Sequence, residues 1–437
     1  MWRKHMDTIY KKRIMVSLLL ITIFLLIAPL SSQAVIHGIT GPTFNLTAKT
    51  GTILADDGKS IFMWGFAKQS TRVQMQYPGP TLIVNQGETV TVNLTNQLPV
   101  PVSIVFPGQV NVSAVGGVPG LLTNEALPGA SVTYTFNAAE PGTYTYYSGT
   151  RPEIQIEMGL FGALIIRPSA ITPPPGYAGC AYNHTDSCFH REYIQVLSEI
   201  DHRIHESVSL GQMDFIDNTE AYAFYWFING RAGFDTIADN FVPYLRSQPY
   251  NAIARLHPGE HVLVRMIGAG RDLHPHHLHG NHHRVIARDG RLLKGSGGQD
   301  LSEYAFTTSV APGKTTDALF TWTGEGLGWD IYGHAPGDPL APGECPGGIS
   351  DPACDHGKPI PVDLPNLDDL TFGPFFSGSP FLGTGGTLPP GEGGFNPNSG
   401  LFFMWHSHNE KEITTNNIFP GGMLTFGVVE HPSVPIP

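Results

Sequence analysis

Met404-Trp405-His406-Ser407-His408-Asn409-Glu410, near the C-terminal end, and His274-Pro275-His276-His277-Leu278-His279-Gly280, upstream of it, each carry a His-x-His pair. In a β-strand residues i and i+2 point to the same side, roughly 6.5–7 Å apart. Two such pairs on neighbouring strands would bring the imidazoles of His277, His279, His406 and His408 onto one site. Read this way, both segments are strands, and the rest of the chain reads the same way. Past residue 34, short segments rich in Val, Ile, Thr, Tyr and Phe alternate with Pro-Gly, Asn and Asp turns, and no long stretch keeps a helical period. The expectation is an all-β, sandwich-like fold.

The chain also repeats itself. Gly87-Glu88-Thr89-Val90-Thr91-Val92 returns as Gly259-Glu260-His261-Val262-Leu263-Val264, and Pro128-Gly129 returns as Pro312-Gly313. Gly142-Thr143-Tyr144-Thr145-Tyr146-Tyr147-Ser148-Gly149, followed by Leu160-Phe161-Gly162-Ala163-Leu164, parallels the stretch from Gly400 to His408 followed by Gly422-Met423-Leu424-Thr425. The repeat predicts two homologous β-sandwiches, 36–170 and 190–432, with 171–189 as a linker that opens on Pro173-Pro174-Pro175. The second copy holds a Gly- and Pro-dense insertion, 324–399, expected to form an irregular covering loop.

Residues 1–34 read as an export signal. Arg3, Lys4, Lys11, Lys12 and Arg13 precede an apolar run from Ile14 to Leu30, and Ser32-Gln33-Ala34 offers a cleavage site. The location implied is periplasmic, extracellular or cell-surface; an uncleaved anchor is the alternative, because the apolar run is slightly long. Cys180 with Cys188, and Cys345 with Cys354, lie close together in loops, which in an exported protein favours two local disulfides over a metal site with His184, His190 or His356. With 25 basic against 37 acidic residues and a net charge of -12, the chain is not expected to bind nucleic acid.

An imidazole-rich site favours Cu(II), at the top of the divalent affinity order, so copper is the expected cofactor and a metal ion the first expected partner. The plain alternative is a set of polar residues lining an interface and bonded to water. Alternation places His276, His282 and His283 on the other face or past the Gly280 turn, outside the ligand set. Glu410 is either a nearby carboxylate for the metal or a solvated side chain, and Asp235 belongs to a turn.

The two histidine segments resemble the C-terminal domain of multicopper oxidases, in which a His-Pro-x-His-Leu-His-Gly run and a later His-Cys-His run both feed a copper cluster. By position, the resemblance implies His274 as a ligand of a mononuclear blue copper, and His277, His279, His406 and His408 as ligands of a trinuclear cluster. Ser407 stands at the family's cysteine, Glu412 at the spacing of its downstream histidine, and Met423 is a candidate axial thioether. A serine hydroxyl is neither ionised nor soft, so a normal blue copper centre is not expected.

The first copy resembles the family's N-terminal cupredoxin domain through Tyr77-Pro78-Gly79-Pro80-Thr81 and Gly142-Thr143-Tyr144, yet Val105, Pro107, Tyr147 and Gly149 stand where that domain has its four histidines. The fold implied is two cupredoxin-like Greek-key β-sandwiches, the first without copper ligands. The function implied is an exported, multicopper-oxidase-like copper-binding protein. It is read as an oxidoreductase with a reduced, atypical copper site and no assigned catalytic residue, or alternatively as a non-catalytic copper storage or delivery module, or a scaffold. An electron donor or acceptor protein and a homo-oligomer are partners this reading leaves open, since two-domain relatives meet domain one against domain two between subunits.

Overall fold

In the Thr89–Asn96 strand, Val90, Val92 and Leu94 are buried while Thr91, Asn93 and Thr95 stand half-exposed, because alternate side chains of a pleated strand leave on opposite faces. The Ser131–Asn137 strand repeats the pattern with Val132, Tyr134 and Phe136 and pairs with it antiparallel. Both feed a core shared with Phe44, Leu46, Leu82 and Leu164. The structure is a computed structural model that describes residues 36–69, 73–334, 338–345, 369, 371–372, 375–376, 380–383 and 396–436. The leader-like segment 1–34 and most of the insertion 324–399 lie outside the described residues.

Among the described residues there are four main sheets. Across the first, the order is Ser60–Lys68, Thr43–Leu54, Thr89–Asn96, Ser131–Asn137, Ser113–Gly116; across its facing sheet it is Ile39–Thr40, Gly79–Asn85, Phe161–Arg167, Gly142–Tyr147. A seven-stranded sheet follows in the order Tyr225–Ile228, Arg191–Ile200, Val262–Gly268, Thr315–Phe320, His283–Arg288, Arg291–Leu292, with Glu303–Ala305 branching from His283–Arg288. Its companion runs Ala254–Leu256, Leu424–Val429, Leu401–Ser407, His274–Leu278, Thr307–Val310. Among the described residues no ladder joins a strand ending by Arg167 to one beginning at Arg191 or later.

The Val262–Gly268 strand, Val-Leu-Val-Arg-Met-Ile-Gly, is buried along its whole length. Val264 and Met266 enter the core of their own sandwich, while Ile267 enters a layer it shares with Ile194, Val196, Phe161 and Ile165, where the two sheet pairs meet. Burial on both faces explains why this strand lost the alternation that its counterpart at Thr89 keeps. Its one charge, Arg265, bonds Glu192 (2.6 Å), Thr143 (2.7 Å) and Asp317 (3.4 Å), the pairing a guanidinium out of water requires.

Two details depart from the sequence reading. A helix forms at His202–Ser209, capped by the Asp201 side chain accepting from the Arg203 N–H, and it buries Ile204, His205 and Val208. At eight residues it is too short to announce itself by periodicity. The segment between the sandwiches is no free linker either: Gly179–Cys180 pairs with Cys188–Phe189 across the Cys180–Cys188 disulfide, and Tyr182 is buried with its hydroxyl donating to Asp317 at 2.6 Å. Cys345 is also disulfide-bonded; its expected partner, Cys354, lies outside the described residues.

Candidate metal centre

The His274–Leu278 strand pairs antiparallel with Leu401–Ser407, setting His277 opposite His406, His276 opposite Ser407 and Leu278 opposite Trp405. The backbone contact runs past both strand ends, with the His279 N–H donating to Met404 (2.9 Å) and the His408 N–H to Pro275 (2.7 Å). Period two then sorts the side chains. His277, His279, His406 and His408 share one face, and His274, His276, Trp405 and Ser407 are buried on the other.

On the first face the rings crowd together. Ring centroids lie 4.7 Å apart for His277 and His408, 4.9 Å for His279 and His406, 5.2 Å for His277 and His279, and 5.6 Å for His406 and His408. One nitrogen each from His277, His279 and His406 lies within 4.8 Å of the other two, a spacing one ion can close by small rotations of the rings. The ring edges not needed are occupied: His406 Nδ1 donates to its neighbour Ser407's carbonyl at 2.6 Å, and His277 Nδ1 lies 2.7 Å from the Thr307 hydroxyl. Each bond fixes a ring and turns its Nε2 toward the cluster, that of His406 lying 2.8 Å from His279 Nε2, as second-shell partners of metal ligands do.

Burial, and then the neighbouring imidazoles, hold His277 and His279 below their ordinary range. In His406 burial is again the largest cause and, despite the bond to Ser407, pushes the pKa down to about 4. These three rings are neutral at neutral pH and offer lone pairs, the form in which imidazole binds a metal. The donor set therefore fits a copper-type ion. His408 is exposed, with Nδ1 at 3.4 Å from Glu410.

The buried face is different chemistry. His274 donates through Nδ1 to Glu412 (2.8 Å) and through Nε2 to Glu199 (3.0 Å), and Glu412 also accepts from the Ser407 hydroxyl (2.5 Å). Burial would lower the His274 pKa, but the two carboxylates outweigh it and raise it to about 9. An imidazolium with a proton on each nitrogen has no lone pair to give. The residues at this pocket therefore do not fit a mononuclear copper, and the geometry sets His274 apart from the other four histidines. Met423 is buried in the core, and its carbonyl accepts from the Ser407 N–H at 3.1 Å.

The other histidines in and just after the His274–Gly280 run have neighbours of their own. His276 and His283 lie stacked against Trp405, with centroids at 5.4 and 5.8 Å, and bond Gln195 (2.7 Å) and Thr308 (2.6 Å). His282 is exposed beside Phe306. Asp235 sits in the Gly233–Ile237 turn and accepts from the Tyr244 hydroxyl.

In the first sandwich Val105, Pro107 and Tyr147 are half-buried and Gly149 is buried. Val105 and Tyr147 bond through their backbones, at 2.8 and 3.2 Å, and a Cβ at residue 149 would lie 2.7 Å from Val105 Cγ1. Phe106, next to Pro107, packs against Tyr134 and Phe136.

Glu199 went unnoticed in the sequence. It lies 75 residues before His274 in no motif, and the only trace of it is Gly270, where a Cβ would collide with the Glu199 carboxylate.

Residues 57–171, most of the first sandwich, match the family model described as multicopper oxidase. Over 106 residues the chain is 39% identical to laccase abr2 of Aspergillus fumigatus, a match covering 24% of this chain and 18% of that one. It is 31% identical over 140 residues to copper resistance protein A of Escherichia coli, covering 32% and 21%. These matches thus span about a fifth of the curated relatives' length. Among solved structures, the multicopper oxidase mgLAC aligns over 90% of this chain and 87% of its own with a TM-score of 0.54 and 20% identity. The blue copper oxidase from Nitrosomonas europaea aligns over 89% and 85% with a TM-score of 0.55 and 18% identity. At such identities the structural likeness is one of fold, and it extends over both sandwiches. The first sandwich thus matches the multicopper oxidase family model over residues 57–171, and the chain shares the fold of multicopper oxidases over about nine-tenths of its length.

Proposed function

We propose that this chain is an exported protein that binds copper at one centre made by His277, His279, His406 and His408, with neither a blue-copper site nor ligands from the first sandwich. The observation that carries the reading is the approach of one nitrogen each from His277, His279 and His406 to within 4.8 Å of one another. His408, its ring 4.7 Å from that of His277, is the fourth ligand. Export is supported by the leader-like residues 1–34 and by the Cys180–Cys188 disulfide, a bond that persists in oxidising compartments. Among the described residues no helix is long and apolar enough to cross a membrane.

The chain's own residues orient the imidazoles and keep them unprotonated. Thr307 and the Ser407 carbonyl fix the rings of His277 and His406, and burial keeps both neutral. Copper bound there supplies one-electron redox chemistry. Because His279 and His408 are exposed, a reductant or a copper donor reaches the centre directly from solvent. The same exposure favours the second reading, in which copper is cargo held for storage or delivery without turnover.

Metal analysis of protein purified without added copper tests the proposal. One or two coppers per chain are expected; none, three or more, or zinc in their place would overturn it. Dioxygen consumption with an added reductant, compared with copper-free protein, then separates the oxidoreductase from the storage module.

A further inference from the structure

Glu412 is the meeting point of the buried face. Its Oε2 accepts from the Ser407 hydroxyl at 2.5 Å and from His274 Nδ1 at 2.8 Å, and its Oε1 accepts from the Asn409 side-chain amide at 2.9 Å. On the far side of the imidazole, Glu199 accepts from the Nε2–H at 3.0 Å and is itself fixed by the backbone N–H groups of Arg271 and Asp272. His274, Ser407, Glu199 and Glu412 are all buried. They belong to four separate elements or their ends: the strands Arg191–Ile200, His274–Leu278 and Leu401–Ser407, and the Glu410–Ile413 turn.

We propose that the Glu412 carboxylate does the work of a mononuclear metal ion, cross-linking the His274 and Leu401–Ser407 strands at the point where the side chains of residues 274 and 407 converge. Glu412 is a positioning residue for the imidazole centre. The Ser407 hydroxyl it holds also accepts from the Asn409 N–H at 3.2 Å, so one carboxylate sets the backbone on both sides of His408 and just after His406. The pocket lacks a blue-copper ligand set as it stands, for both nitrogens of its imidazole are engaged by carboxylates and residue 407 is a hydroxyl, not a thiolate. Since residues 274 and 407 already point at one spot, exchanging the carboxylate for a ligand and the hydroxyl for a thiol should open it. This part of the inference concerns the pocket alone and does not rest on copper occupying the imidazole centre.

Two variants test it. Ser407→Cys/Glu412→His places a thiolate and a second imidazole beside His274. With Cu(II) it is expected to bind one more copper per chain than the parent and to show the intense visible charge-transfer absorption of a copper thiolate. A folded double variant, checked by circular dichroism and melting, that takes no additional copper would show that these side chains do not converge as described. Glu412→Ala is expected to lower copper affinity at the imidazole centre roughly tenfold or more, with altered electron paramagnetic resonance hyperfine splitting. Glu412→Gln, whose amide oxygen still accepts from Ser407, is expected to recover most of that loss. A less stable Glu412→Ala protein with unchanged copper affinity and spectrum would reduce the cluster to an ordinary buried ion pair and overturn the positioning role. Because the absorption experiment reads the pocket itself, a parent that binds no copper would defeat the proposed function and leave this test standing.

Discussion

His279 and His406 bring their Nε2 atoms to within 2.8 Å of each other, although they are 127 residues apart in sequence. With its own proton on Nδ1, His406 accepts the His279 Nε2–H at that distance, and a metal ion taking both nitrogens would replace this hydrogen bond. The pair makes the His-x-His arrangement a candidate coordination site, where scattered histidines would be only polar surface.

Replacing both His406 and His408 by Ala should therefore abolish most copper affinity, since only His277 and His279 remain and a two-ligand site is weak. The melting temperature of the metal-free protein should hold to within a few degrees, because the cores rest on strands such as Thr89–Asn96 and Val262–Gly268. Isothermal titration with Cu(II), run beside Ser407→Ala as a control, gives the answer. Full affinity in the double mutant would leave the histidines without a role in metal binding.

Copper-loaded parent protein should be pale, with no strong thiolate charge-transfer band, because residue 407 is a hydroxyl bonded to Glu412. Visible absorption of the loaded protein checks this, and an intense blue colour would refute the assignment.

Stability should fall in mildly alkaline solution. With its folded pKa up at about 9, against 6.5 for an ordinary imidazole, His274 contributes stability that is fully present below pH 6.5 and disappears as pH rises through 9. The amount is at most roughly 3 kcal/mol. Urea unfolding of the parent and of His274→Gln across that interval isolates it, because the variant should lack the extra alkaline loss. Parallel curves for the two proteins would disprove the contribution.

Restoring a histidine at Gly149 should harm the fold without building a copper site. Even a Cβ there would lie 2.7 Å from Val105 Cγ1 and 3.4 Å from Leu122 Cβ. Overpacking of this kind costs about 1–3 kcal/mol, which a lowered melting temperature for Gly149→Ala and Gly149→His would register. A neutral Gly149→His that gains copper would show the first sandwich to be more accommodating than its packing indicates.

The reach of the sequence followed the range of the forces involved. Strand period is local, so the sharing of one face by His277, His279, His406 and His408, and the turning of His276 away from it, could be read from two short segments. That these imidazoles hold copper remains a proposal. The Glu199–His274–Glu412 cluster could not be read, because Glu199 arrives through the parallel pairing of Arg191–Ile200 with Val262–Gly268, a tertiary event with no signature near His274. The buried Tyr182 escaped for the same reason: its hydroxyl finds Asp317 135 residues away, across a segment whose prolines suggest only a spacer.

The two faces of the Leu401–Ser407 strand also limit how this chain can change. His406 looks toward the imidazole cluster while Trp405 and Ser407 look into the core, and a shift of one residue would exchange them, driving an indole into water and a ligand into apolar packing. Substitution can therefore remodel this centre, as Ser407→Cys would, whereas insertion or deletion of a single residue within the strand would destroy the core and the imidazole cluster together.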